Sequence, residues 1–156
     1  MVEVLILFYS RSGDVEAMAK AVAEGVNSVK GATSKLVRVV DAHINDLISC
    51  DAVAFGSPNY FGYMAGVIKD FFDRAWSVRE KVAGKLAVAF TCGESSSNAA
   101  LLSLEAMYVP FKLQKVTEGV AWGVKDHGSP NQRDLEACKK LGEALVKATL
   151  EKKLTS

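Results

Sequence analysis

The side chains best suited to chemistry gather in three short segments: Ser10-Arg11-Ser12-Gly13-Asp14-Val15-Glu16, Gly56-Ser57-Pro58-Asn59-Tyr60-Phe61-Gly62 and Thr91-Cys92-Gly93-Glu94-Ser95-Ser96. The first lies between an apolar run, Val2 to Tyr9, and a stretch with helical spacing. A strand that turns straight into a helix aims unpaired N–H groups and the positive helix end at one point, which suits a dianionic phosphate. The hydroxyls of Ser10 and Ser12 can donate further bonds, and Gly13 lets the backbone approach closely. The same residues also read as an ordinary helix start, with Ser12 or Asp14 as the cap and Glu16 in the first turn. Neither G-x-G-x-x-G nor a P-loop G-K-[ST] is present, so dinucleotide and nucleoside-triphosphate fingerprints are excluded.

Other chemistry has less support. No His, Cys and carboxylate cluster has metal-ligand spacing, and no Ser–His–Asp arrangement can be argued. His43 and Trp76 read as structural, and His127 as an exposed loop residue. Trp122 is expected in a structural role beneath the last loop, with a place beside a ligand as the alternative.

The elements that position the three segments follow from periodicity. Val2 to Tyr9 is nearly continuous in apolar residues, as for a strand covered on both faces. Val15, Met18, Ala19, Val22 and Val26 recur at helical spacing, with Gly31 as a stop. Further strands are expected at Leu36 to Val40, Ala52 to Phe55, Leu86 to Phe90 and, more weakly, Val116 to Trp122. Helices are expected with Met64, Ile68, Phe71 and Ala75 inward, with Leu101, Leu104 and Tyr108 inward up to Pro110, and from Gln132 to Leu150. Asp41 to Cys50 allows a short helix or turn. Alternating strands and helices imply right-handed crossovers and a parallel sheet, hence a three-layer α/β sandwich of five strands. Ligands of such sheets bind beyond the carboxyl ends of the strands, where all three segments fall.

Bulk properties narrow the class. A chain of 156 residues with 49% hydrophobic and 24% charged residues fits one globular domain spanning 1–156. A net charge of +1 gives no reason to expect nucleic acid or a membrane as partner. Cys50, Cys92 and Cys138 are too few and scattered for a disulfide framework, and read as free thiols of a cytoplasmic protein. No run approaches the roughly 20 apolar residues of a membrane helix. Val2 to Tyr9 lacks the basic flank and cleavage site of a signal peptide.

Taken in order, strand–SRSGDVE–helix, GSPNYFG after the third strand and CGESSS after the fourth resemble the three FMN-contacting loops of flavodoxins over essentially the whole chain. Flavodoxins are themselves a type example of ligand binding at the point where strand order reverses. The resemblance implies a flavodoxin-like fold with sheet order 2-1-3-4-5, helices on both faces and FMN as cofactor. By the same resemblance the cofactor-binding residues are Ser10, Arg11, Ser12, Gly13, Asp14 and Val15; Ser57, Pro58, Asn59, Tyr60, Phe61 and Gly62; and Thr91, Cys92, Gly93, Glu94 and Ser95. The family commonly has Asn and Thr where Asp14 and Val15 stand. An ionised Asp14 near a dianion weakens binding unless it turns away or Arg11 offsets it.

An isoalloxazine ring needs a flat apolar slot. Tyr60 is the first choice to stack on it and Phe61 the second, with a core position beneath the following helix as the alternative for Phe61. Pro58 stiffens the loop, and Gly62 allows the peptide flip by which flavodoxins offer a carbonyl to the reduced ring. Cys92 reads as a buried inert thiol. Ser97 stands where short flavodoxins often carry a second stacking tyrosine, which leaves one ring face more open.

Three functions follow from the resemblance. The first is a low-potential electron carrier, a monomer or weak dimer whose partners are redox proteins acting as donor and acceptor. The second is an NAD(P)H:quinone oxidoreductase, whose corresponding loop GSPNYFGYMAG resembles more closely than that of carriers. The third is a non-redox flavin-binding module. Typical flavodoxins are markedly acidic, whereas this chain carries +1, so steering to partners must rely on local patches.

Overall fold

The three layers meet on β1 (Val2–Phe8), whose side chains point alternately to opposite faces. Val2, Val4, Ile6 and Phe8 enter one buried cluster, while Leu5 and Leu7 enter the other. These positions come from a computed structural model that describes residues 1–93, 98–123 and 129–156. The first cluster is covered by α1 (Asp14–Asn27) and α6 (Gln132–Thr155). The second is covered by α3 (Gly66–Ala75), α4 (Asn98–Ala106) and the short α5 (Tyr108–Phe111).

β1 pairs in parallel with β2 (Ala32–Arg38) on one side and β3 (Ala52–Pro58) on the other. β4 (Leu86–Gly93) follows β3, giving the expected 2-1-3-4-5 order. The fifth strand differs from expectation. Instead of one run from Val116 to Trp122 it is two pieces, β5 (Gln114–Lys115) and β6 (Val120–Gly123), both parallel to β4. Between them, Gly119 presses on the carbonyl oxygen of Ala89, and Lys115 pairs with Glu105 and Glu118.

Smaller boundaries also move. The segment from Asp41 to Cys50 contains α2 (Ile44–Ser49), preceded by a 3₁₀ turn at Val39–Asp41. Pro110 does not end the preceding helix; it sits inside α5 after a break at Met107. α6 runs five residues past Leu150, to Thr155. The apolar positions predicted on α1 are all buried, and so are Cys138, Leu141 and Leu145 of α6. α1 and α6 approach closely because both carry a glycine at the contact, Gly25 and Gly142. No helix among the described residues is long and apolar enough to cross a membrane.

Candidate functional site

The register brings the carboxyl ends of β1, β3 and β4 side by side, with Phe8 opposite Gly56 and Pro58 opposite Cys92. The loops leaving these ends enclose a cavity of about 560 Å³, within the roughly 300–1,000 Å³ usual for small-molecule sites. It is lined by Arg11, Ser12, Asp14 and Val15 from the first loop, Pro58 to Gly62 from the second, and Cys92 and Gly93 from β4.

The first loop is organised by Ser10. Its side chain is buried, and its hydroxyl oxygen accepts the N–H groups of Gly13 at 3.1 Å and Glu16 at 3.2 Å. The helix cap is therefore neither Ser12 nor Asp14. Gly13 holds the cap position at φ 98°, a left-handed conformation that glycine adopts without penalty. With its acceptor sites used, the Ser10 hydroxyl retains its proton as a donor. The N–H groups of Arg11, Ser12, Asp14 and Val15 make no hydrogen bond to any other described residue. Four main-chain donors at the positive end of a 14-residue helix are the groups an anion seat requires, since that end carries about half a positive charge.

Side-chain charges around the seat nearly cancel. Asp14 is half-buried at the cavity wall and accepts a long bond from the Ser12 hydroxyl at 3.3 Å. Arg11 lies on the same wall. Glu16 is tied to Arg38 at 2.9 Å and to Lys20 at 3.8 Å. Any attraction for an anion at this loop would thus come from its peptide N–H groups.

The second loop is a two-residue hairpin turn. Tyr60 and Tyr63 exchange both N–H···O bonds, at 2.9 and 3.0 Å, across Phe61 and Gly62. The central residues have φ of 55° and 77°, the signs a mirror-image turn requires. Phe61 is fully exposed, which excludes the core position considered for it, and it is a bulky residue in left-handed backbone. Such a residue costs on the order of 1–3 kcal/mol and is characteristic of functional sites. Tyr60 is half-buried against Tyr9, edge-on with ring centroids 6.4 Å apart. Burial pushes its phenol above the ordinary value, Tyr9 adds to the effect, and the Arg11 guanidinium opposes it.

The third wall is stiff. The Asn59 N–H donates to the Cys92 carbonyl at 2.6 Å, tying the second loop to the end of β4. A Cβ on Gly93 would stand 2.5 Å from that of Asn59, so only glycine allows this approach. Burial pushes the Cys92 thiol up to about 12, so it presents a neutral S–H to the cavity.

Two residues named from sequence lie behind the wall. Ser57 is fully buried, donating to the Pro58 carbonyl at 2.7 Å and accepting from the Ala65 N–H at 2.8 Å. Thr91 is fully buried within β4. Glu94, Ser95 and Ser97 fall outside the described residues, as does His127. Trp122 is buried in the first cluster and is no part of the cavity lining. Trp76, expected to be structural, is about half exposed, with Arg79 3.9 Å above its ring. Arg38, on β2, was not singled out by its sequence context, yet it bonds both the first loop and α1.

Comparison with known proteins gives consistent likenesses. The sequence profile of the family described as NADPH-dependent FMN reductase matches residues 35–127, more than half of the chain. A flavodoxin of Aquifex aeolicus is 30% identical, over 94% of this chain and 86% of that protein. A NAD(P)H dehydrogenase (quinone) of Syntrophobacter fumaroxidans is 36% identical, over 76% of this chain and 69% of that protein. Among solved structures, a flavodoxin from the domain Archaea superposes with a TM-score of 0.83 at 22% identity, covering 95% of this chain and 99% of the other.

Proposed function

The chain belongs to the flavodoxin-like NADPH-dependent FMN reductase family, and from that premise we propose that it works as a flavodoxin-type electron carrier, with FMN seated in the cavity above β1, β3 and β4. FMN is the cofactor of this family. The residues present suit it. The four unpartnered N–H groups of the first loop match a phosphate, and the seat adjoins a slot whose rim carries Tyr60 and Phe61. That N–H seat is the observation that carries the reading.

In this reading Arg11, Ser12, Asp14 and Val15 hold the phosphate through main-chain N–H groups, and the Ser10 hydroxyl adds a further donor. Tyr60 and Phe61 flank the ring. The peptides of Phe61 and Gly62, whose N–H groups have no partner among the described residues, and the end of β4 at Gly93 would meet its polar edge. The cofactor would supply transfer of one or two electrons. Asp14 works against tight binding, because a carboxylate beside a dianion is repelled in a partly dry site.

The carrier assignment is favoured because likeness to a flavodoxin runs over nearly the whole of both chains. A second reading, a NAD(P)H:quinone oxidoreductase, is favoured by one structural feature. Among the described residues, both aromatic rings lining the cavity come from the same loop, and Phe61 is fully exposed. An exposed Phe61 ring would offer a face on which a second flat ring could stack.

Stepwise anaerobic reduction of the FMN-loaded protein separates the two. A carrier takes up electrons in two resolved one-electron steps and shows no turnover with NADH or NADPH plus a quinone. Rapid pyridine-nucleotide turnover assigns the enzyme instead. Failure to take up FMN at all removes both.

A further inference from the structure

Arg38 is the last residue of β2 and stands opposite Phe8 in the sheet register. Its two terminal nitrogens are used separately. Nη2 donates to the Ser10 carbonyl oxygen at 2.8 Å, and Nη1 donates to Glu16 Oε1 at 2.9 Å. The guanidinium carbon lies over the Phe8 ring, 5.7 Å from its centroid. Glu16 is held a second time, because its N–H donates to the Ser10 hydroxyl. Ser10, Arg38 and Glu16 therefore form a closed ring that joins the end of β1, the end of β2 and the first turn of α1.

One bond of this ring bears on the seat. The peptide between Ser10 and Arg11 is trans, since no cis peptide occurs among the described residues. In a trans peptide the C=O and the following N–H lie in one plane and point in opposite directions. Holding the Ser10 carbonyl against Arg38 therefore turns the Arg11 N–H away from β2, and that N–H has no partner among the described residues. Arg11 itself lines the cavity.

We propose that Arg38 is a positioning residue that makes the site select phosphorylated flavins over riboflavin, by locking the Ser10–Arg11 peptide so that its N–H serves the phosphate. The inference rests on the reading that the cavity takes FMN. Arg38 acts through geometry and not as a charge on the ligand, because Glu16 already neutralises it. Both side chains are partly exposed, at 40% and 36%, where an ion pair alone contributes little stability. What the pair supplies is a fixed direction for one peptide.

The test titrates ligand-free protein with FMN and with riboflavin, following flavin fluorescence, for the unaltered chain and for Arg38→Met, Arg38→Lys and Glu16→Gln. The unaltered chain binds FMN well above riboflavin. Arg38→Met loses about 10-fold in FMN affinity, the size of one hydrogen bond to a charged group, and changes riboflavin affinity less than about twofold. The ³¹P resonance of bound FMN moves in the same variant. Arg38→Lys, with a single donor head that cannot span both partners, falls between. Glu16→Gln keeps an acceptor for Nη1 but leaves the Arg38 charge unmasked. A preference for FMN within about twofold of the unaltered chain then supports a geometric role. A severalfold gain in FMN affinity would overturn it, by showing Arg38 acting as a charge.

Equal loss of both ligands in Arg38→Met and Arg38→Lys would overturn the inference, by reducing Arg38 to general support of the fold. So would an unchanged preference for FMN in both variants. If the unaltered chain binds FMN and riboflavin equally, the phosphate seat itself fails, and the role of Arg38 falls with it. Where Arg38→Met does not fold, Arg38→Lys and Glu16→Gln carry the comparison alone.

Discussion

Gly142 of α6 lies directly on the backbone of Val22 in α1: a Cβ added at Gly142 would overlap the Val22 carbonyl oxygen. The contact is reciprocal, since a Cβ at Gly25 would overlap the carbonyl of Lys139. A glycine inside an exposed helix normally costs about 0.5–1 kcal/mol against alanine. Here the sign reverses. Gly142→Ala is expected to lower stability by about 1–3 kcal/mol, the usual cost of overpacking, read as a lower urea midpoint at unchanged slope. A stabilised variant would show that the two helices are not in backbone contact.

Replacing Asp14 by Asn removes the one carboxylate that lines the cavity among the described residues, while leaving the N–H groups in place. FMN affinity should rise roughly 3- to 10-fold, as expected for a charge separated from a phosphate by a partly hydrated gap. Riboflavin affinity should not move. Titration of both ligands at two salt concentrations checks this, and an equal gain for riboflavin would point to a change in the ring slot.

Phe61 and Tyr60 are neighbours with opposite expected behaviour. Phe61→Gly relieves left-handed strain and exposes nothing new, so the ligand-free protein should be as stable as the unaltered chain or up to about 1 kcal/mol more so. Flavin affinity should nevertheless fall. Tyr60→Ala removes the edge-on contact with Tyr9 and should lower both stability, by about 1–2 kcal/mol, and affinity. Thermal melts of ligand-free protein beside fluorescence titrations distinguish the two patterns.

Alkaline pH should destabilise the fold through its cysteines. Burial raises the Cys92 and Cys138 thiols to about 12 and the Cys50 thiol to about 11, from 9.0. Above pH 9 the unfolded chain releases these protons while the native chain keeps them, so unfolding becomes easier as pH rises towards 11 and 12. Denaturation midpoints at pH 8, 9 and 10 should fall progressively, and Cys138→Ala should flatten the fall. The same burial makes all three thiols slow to react with alkylating reagents until the protein unfolds.

The legible and illegible parts of this chain differ in kind. β1, β3 and β4 announced themselves as unbroken apolar runs, because strands covered on both faces leave no polar alternation. Once those were placed, the first two loops had to lie at one edge of the sheet. The function of Ser10 was not legible, because it depends on which N–H groups reach its hydroxyl across three and six residues. Arg38 was less legible still: its partner carbonyl lies 28 residues earlier and meets it only through the pairing of β1 with β2. The break in the fifth strand lies where Gly119 packs against Ala89 of the neighbouring strand, a meeting that no periodicity encodes.

The turn across Phe61 and Gly62 has a kinetic corollary. Two main-chain bonds between Tyr60 and Tyr63 close it from within the loop, so the aromatic rim needs no outside contact to hold its shape. Little ordering entropy remains to be lost on docking. Capture by such a rim is limited by how often a flat molecule meets the opening, and the lifetime of the complex, more than its rate of formation, should register changes made deeper in the cleft.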